Sequence, residues 1–415
     1  MSSFRFLHAA DLHLDSPLRG LADDPEAPAA EIRLATRTAF GRLIDLALAE
    51  DVAFLLIAGD VYDGDWPDYR TGHFFMQQAA RLTRAGKPVF VIRGNHDAQN
   101  RMTRALRAPD GLVVFDSTRA HTHVLEALGV AIHGQSFANP EEPRNLARGY
   151  PARVPGMLNI GLLHSSVTGS PDHGSYAPCS LDDLRGLGYD YVALGHIHQA
   201  AILCRDPWIV FPGNLQGRHA RETGPKGATM VTVRDGRIAD VAPRIVDGFR
   251  WARVAVDAGG ADSEEVLLVA VRAALAAALD AAEGRPVAAR VVIGGATALH
   301  GAVVGSPASL RAQVLNEANQ LDHRRLWIEA VKLDTRPAVN VAALRDREDP
   351  LGMLVRAIDA LVEAPPAELL GGWPAELLAK LPAGALPEDH PLRAPAGGDV
   401  LARARDLLLA ALAVG

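Results

Sequence analysis

Five short segments in the first half of the chain carry the residue types of a two-metal phosphoesterase centre. They are Asp11-Leu12-His13, Gly59-Asp60-Val61-Tyr62-Asp63, Gly94-Asn95-His96-Asp97, the lone His164, and Gly195-His196-Ile197-His198. Carboxylate, amide and imidazole donors together suit hard or borderline divalent ions. Two such ions about 3.5–4 Å apart clamp the attacking and the leaving oxygen of a phosphodiester. Asp60 is the natural central ligand, because a carboxylate can offer one oxygen to each ion. Asp11, His13 and one histidine of the His196/His198 pair could complete one ion. Asn95, His164 and the other histidine could complete the second. Asn95 is a neutral donor, which leaves its ion more Lewis-acidic than another carboxylate would. His96 reads differently, as a group that reaches the scissile phosphate, stabilises developing charge and protonates the leaving oxygen. An imidazole in that role needs an orienting carboxylate, and Asp63 is the candidate. Asp97 more naturally braces its own loop.

These residues need rigid supports, and the sequence supplies them as short apolar runs rich in β-branched residues. Residues 4–7, 54–58, 89–92, 130–133, 158–163, 191–194, 209–211 and 228–233 each read as a strand, most of them buried on both faces. Helical patterns at 31–50 and 69–85 alternate with them, which predicts an α/β layered domain. All five segments fall just after strand ends, where such sheets carry their sites. Asp247-Gly248 marks a boundary, so residues 1–248 form the expected catalytic domain. Residues 249–335 read as a small α+β domain without ligand motifs. Residues 336–415 read as a helical C-terminal region broken by prolines, with a linker at 386–399 and a last, very apolar helix at 400–412. That helix is either core or a docking surface.

Bulk properties narrow the class. The chain has 415 residues, which implies two domains or more. Its 48% hydrophobic and 22% charged residues exclude wholesale disorder. A net charge of −7 provides no global field for nucleic acid, so any contact with DNA must use local basic patches and the metals themselves. Cys179 and Cys204 make neither a disulfide framework nor a thiolate site, and both read as buried and inert. The first ligand motif follows the N-terminus too closely for a signal peptide, and no uncharged stretch is long enough to span a membrane. A cytoplasmic protein is expected.

The ordered set D-x-H, GD-x-x-D, GNH-D, H and GH-x-H resembles the calcineurin-like metallophosphoesterase superfamily, with every element present between Asp11 and His198. Asp11–Pro17 and the later Pro212–Gly227 segment are similar to the SbcD- and YhaO-type bacterial DNA repair exonucleases, with the YhaO branch nearest. The resemblance implies a four-layer αββα sandwich, a small capping domain near the site, and a nuclease that prefers manganese. Fe, Mg and Zn are also compatible with the donor set. It implies DNA as substrate, and a C-terminal region that docks onto an SMC-like coiled-coil ATPase. It also leaves room for a homodimer. A phosphodiesterase for cyclic nucleotides or other small phosphodiesters would use the same ligands. A DNA-end-binding scaffold subunit with gated nuclease activity is the third reading.

Other residues invite two readings each. Arg218 and His219 follow a glycine turn and either contact substrate phosphate or form a salt bridge with a nearby loop, the former being favoured by the resemblance. Arg19 either touches nucleic acid or sits solvated. His121-Thr122-His123 repeats the H-x-H spacing without a glycine turn or a preceding strand, and reads as a surface or strand-edge pair. His8 and His133 read as structural, and His323-Arg324-Arg325 as a solvated basic cluster.

Overall fold

The apolar runs that precede the ligand segments become the central strands of two sheets. A computed structural model describes residues 2–16, 18, 34–64, 69–99, 107–167, 176–338 and 344–363. The strands of the two sheets are β1 (Phe4–Ala9), β2 (Phe54–Ala58), β3 (Val89–Ile92), β4 (Leu112–Val114), β5 (His121–Leu125), β6 (Val130–Gly134), β7 (Leu158–His164), β8 (Tyr191–Gly195), β9 (Ala201–Arg205), β10 (Trp208–Phe211), β11 (Gly227–Arg234) and β12 (Arg237–Ile245). The first sheet runs β12-β11-β1-β2-β3-β4 and the second β5-β6-β7-β8-β10-β9. In the first, the parallel run β1-β2-β3-β4 is joined at β1 by the antiparallel β11 and β12, and in the second the parallel run β6-β7-β8-β10 is flanked by the antiparallel β5 and β9. β2, β3, β6, β7 and β8 are buried at every residue. That is why they read as unbroken apolar runs rather than alternating ones.

Alternation along the strands assigns the layers. Leu7, Leu55 and Val89 face Phe40, Leu43, Phe75 and Leu82 of the helices Ala35–Ala49 and Arg70–Arg84. Phe6, Phe54, Leu56 and Phe90 point the other way and pack on Ile132, Ile160 and Tyr191 of the second sheet. Phe6 stacks on Phe54 at 4.8 Å and meets Tyr191 edge-on at 5.5 Å. The outer face of the second sheet, with Leu163, Val192 and Ile209, is covered by Leu184 of the helix Leu181–Gly186. The result is the αββα sandwich.

His8 lies between the sheets, with Nδ1 3.0 Å from the Tyr191 hydroxyl and Nε2 3.1 Å from the Leu194 carbonyl. Burial lowers its pKa to about 3, so it is a neutral structural ring. His133 is similarly engaged, by Thr122 and Asn159, and stacks on Tyr189. Cys179 is buried as expected, whereas Cys204 is only half-buried because it sits on the edge strand β9.

The chain divides into two compact units. The first comprises the residues up to Arg253 together with Leu279–Ala289 and Arg324–Glu329. The second comprises Val254–Ala278, Arg290–His323 and the described residues from Ala330 onward. A three-stranded sheet of β13 (Arg250–Asp257), β14 (Val287–Thr297) and β15 (Leu326–Pro337) is accompanied by the helices Glu264–Asp280 and Pro307–Asp322. Each helix buries a stripe spaced by four residues, Leu267/Val271/Leu275 and Leu310/Val314/Ala318. Side chains four apart share a helix face, which makes both helices one-sided. A further helix spans Pro350–Glu363, and the segments read as a linker at 386–399 and a last helix at 400–412 lie outside the described residues. Among the described residues, no helix is long and apolar enough to cross a membrane.

Candidate metal centre

The ligand segments sit at the C-terminal ends of β1, β2, β3, β7 and β8, so both sheets contribute to one rim. Pairing continues past the strands: the Asp11 amide donates to the Gly59 carbonyl and the His13 amide to the Asp60 carbonyl, each at 3.0 Å. The loops turn sharply at the ligands themselves. Asp11, His13, Asp60 and His196 have φ of 51°, 41°, 50° and 102°. Left-handed conformations in residues with a Cβ cost about 1–3 kcal/mol each and persist only where packing enforces them. Glycines make room beside them. A Cβ on Gly94 would lie 2.2 Å from Asp60 Oδ1, and one on Gly195 would lie 1.9 Å from the Ala58 carbonyl oxygen.

Donor atoms converge in three overlapping groups: Asp11, His13 and His198; His13, Asp60 and His96; Asp11, Asp60 and His164. Within each group the ligand atoms lie within 4.8 Å of one another. The tautomers follow from the partners. His198 Nδ1 lies 2.5 Å from Glu222 and donates there, while His13 Nδ1 faces the Asp63 carboxylate at 3.3 Å, which favours a proton on that nitrogen. Their Nε2 atoms are left with lone pairs and face each other at 3.1 Å. His164 Nδ1 donates to the Ala58 carbonyl at 2.9 Å, and its Nε2 meets two acceptors, Asn95 Oδ1 at 3.0 Å and Asp60 at 3.4 Å. Acceptors that face acceptors repel unless a cation lies among them. A proton on His164 can serve: burial alone would lower its pKa, but Asp60 more than offsets this and it rises to about 9. Divalent ions meet the same demand at every one of these contacts, so the donor set fits two of them.

The carboxylates point the same way. Burial pushes the Asp11 carboxyl up to about 6 and that of Asp97 up to about 7, and the charge of Asp60 adds to both shifts. A water-poor cavity crowded with acids favours an incoming cation. Asp63 differs. Against the upward push of burial, hydrogen bonds from His13 and His96 and the charge of Arg218 hold it well below the usual carboxylate range. His96 Nδ1 lies 3.1 Å from Asp63, and that hydrogen bond raises the imidazole pKa despite its partial burial. His96 also stands edge-on to His13 at 4.9 Å, with its ring partly exposed.

The sequence-predicted residues therefore meet in one place. Asp11, His13, Asp60, Asn95, His164 and His198 converge there, and His196 lies beside His164 with ring centroids 5.3 Å apart. The H-x-H pair is thus split, His198 going to the Asp11/His13 side. Arg218 does reach the site, but its guanidinium is held by Asp63 at 3.0 Å and by Ser16 at 2.9 Å. His219 is partly exposed, 3.6 Å from Glu222. Arg19 lies outside the described residues. Two contributors, Glu222 and Ser16, escaped the sequence reading, and Asp97 braces more than its own loop. Glu222 orients His198 and also accepts from Asn214 and from the Arg218 amide. Ser16 donates to Asp63 at 2.8 Å. Asp97 accepts from the Val61, Tyr62 and Gly94 amides, so it ties the loop after β2 to its own. Ser16 and Glu222 lie within the Asp11–Pro17 and Pro212–Gly227 segments, but neither spacing announces the partner it meets.

Comparison with known proteins agrees with this geometry. Residues 4–200 match the family Calcineurin-like phosphoesterase, and residues 251–336 match the family Metallophosphoesterase YhaO, middle domain. Uncharacterized metallophosphoesterase YhaO of Bacillus subtilis (strain 168) is 35% identical over 299 residues, which cover 71% of this chain and 72% of that one. Among solved structures, TT1561 of Thermus thermophilus covers 58% of this chain and 99% of its own at 10% identity, with a TM-score of 0.35. A likeness that slight has no bearing on the site.

Proposed function

The chain belongs to the calcineurin-like, YhaO-type metallophosphoesterases, and on that premise we propose that it is a DNA repair exonuclease acting on phosphodiesters at DNA ends. Its coarse activity is metal-dependent phosphoester hydrolysis. The observation that supports the reading best is the combination of converging acceptors around Asp60 with a partly exposed, carboxylate-backed His96 at their edge.

Asp11, His13, Asp60, Asn95, His164, His196 and His198 would hold divalent ions, which when bound would supply Lewis acidity and a nucleophile at neutral pH, and manganese is our choice among them. The protein's own residues do the rest. Asp60 and Asp11 bring negative charge that the buried imidazoles cannot balance alone. Asp63 accepts from His96 Nδ1 and so fixes the ring with Nε2 directed outward. The Asp63 hydrogen bond raises the ring's affinity for its second proton, and a proton on Nε2 can be donated to a phosphate oxygen and then passed to the leaving oxygen. Glu222 holds His198 in a single tautomer, and Asp97 locks two ligand loops together. We further propose a cytoplasmic setting and an SMC-like coiled-coil ATPase as partner, on the resemblance of the N-terminal half to nucleases of that kind.

Digestion of end-labelled linear duplex and single-stranded DNA with added Mn²⁺ tests the reading. Wild type should shorten DNA from its ends and stop when a chelator is added. His96→Ala should keep its metal and lose about 10²–10⁴-fold in turnover. If DNA stays intact while an aryl phosphodiester is hydrolysed, the substrate is a small phosphodiester and the nuclease proposal fails.

A further inference from the structure

Outside the metal centre, a pocket of 370 Å³ opens beside Arg93, lined by Val114, Phe115, Asp116, Ser117 and His121. It lies on the same rim as the centre. β4 pairs in parallel with β3 through Val91 and Val114, so the turn after β4 emerges beside the loop that carries Asn95 and His96. His121 opens β5 and pairs with Gly134 at the end of β6, which brings the second sheet to the same place. Adjacent strands lie about 4.8 Å apart, so the pocket begins one strand over from His96.

The pocket is built rather than incidental. Ser136 binds its three margins together: its Oγ accepts from the Arg93 amide and donates to the Phe115 carbonyl, and its own amide donates to the Asp116 carbonyl. The next residue, Phe137, donates its amide to the Arg93 carbonyl and sets its ring edge-on to His164. A Cβ on Gly134 would meet the Phe115 ring at 2.8 Å, so glycine there lets that ring form the floor. The His121 ring lies over it with centroids 5.0 Å apart, and Val114 is 36% exposed at the mouth. Among the described residues no carboxylate pairs with the Arg93 guanidinium. The nearby Asp116 carboxylate is held within its own turn by the Thr118 amide and hydroxyl. A cation next to the catalytic loop matters in a chain of net charge −7, which has no broad basic face to hold a polyanion.

We infer that this pocket takes the nucleotide next to the scissile phosphodiester of a single DNA strand, with Arg93 on its phosphate and its base against the His121 ring. The inference rests on the nuclease reading for the identity of the strand. A phosphate clamp beside an aromatic wall is the minimal arrangement for holding unpaired nucleotides without sequence preference. The volume lies at the low end for ligand pockets, suited to one nucleotide.

Anisotropy of a 5′-labelled single-stranded oligonucleotide, with Ca²⁺ replacing Mn²⁺ to suppress turnover, reads the pocket directly on the full chain. Arg93→Gln should weaken binding about tenfold and flatten the salt dependence by about one phosphate contact, a change of roughly 0.7 in slope. Arg93→Lys should restore the slope, which a folding defect would not allow. His121→Ala should weaken binding several-fold and leave the slope as in wild type. Oligonucleotide affinity and slope that are insensitive to Arg93→Gln, or a wild type that does not bind the strand, would overturn the inference. Cleavage of the same strand in Mn²⁺ separates the two ideas. Arg93-dependent binding without cleavage sinks the nuclease reading and keeps the pocket, whereas cleavage with Arg93-independent binding does the reverse.

Discussion

Two segments of this chain share the pattern His-x-His, and they do different things. His121-Thr122-His123 lies on the extended edge strand β5, where side chains two apart point the same way. Its rings lie on Phe115 and Phe90, each at 5.0 Å, and complete an aromatic surface. His196-Ile197-His198 leaves the end of β8 through Gly195, and His196 turns at φ 102°. One ring then lies beside His164 and the other faces His13. Spacing alone does not make a ligand pair. The turn that separates the rings and the carboxylate that fixes a tautomer do.

That contrast can be broken at the turn. Gly195→Ala places a methyl group 1.9 Å from the Ala58 carbonyl oxygen and 2.9 Å from His164 Nδ1. β2 and β8 must then move apart, and displacements of about 1 Å at a reacting centre cost about 100-fold or more in turnover. Metal content and aryl phosphodiester hydrolysis should fall together in this variant. If the variant keeps wild-type metal content, the steric argument is wrong.

A milder change sharpens it. Glu222→Gln keeps the shape but removes the charge that His198 Nδ1 donates to. Loss of such an orienting partner lowers metal affinity or activity by about 10–100-fold. Titration of the metal-free variant with Mn²⁺ checks this, and an unchanged affinity would show that His198 needs no carboxylate behind it. The smallest effect is expected at the other pair. His123→Ala should lose about 1 kcal/mol of stability from its contact with Phe90. Its metal content should match wild type, and thermal unfolding with metal analysis reads both.

Much of this was legible in the sequence because the informative features are local. A buried parallel strand is an uninterrupted apolar run, and a ligand at its end follows within two or three residues, as Asp11 follows β1 and Asp60 follows β2. Glycine next to a ligand also reports crowding, as Gly94 and Gly195 do. The remainder depends on contacts distant in sequence. Asp97 fits a role in its own loop, yet two of its hydrogen bonds reach Val61 and Tyr62, 36 and 35 residues back. Arg218 and Asp63 are 155 residues apart, and nothing in either segment announces the pairing. Glu222 has the same difficulty. A single acidic residue in a polar segment has no pattern until the fold brings His198 to it.

The most direct test is to count ions. Metal-stripped protein dialysed against Mn²⁺ and analysed for bound metal should hold close to two ions per chain, with His123→Ala unchanged. Asp60→Ala removes the carboxylate that belongs to two of the converging groups and should lose both. One ion or none in the wild type, or two retained by Asp60→Ala, would contradict a dinuclear centre organised around Asp60.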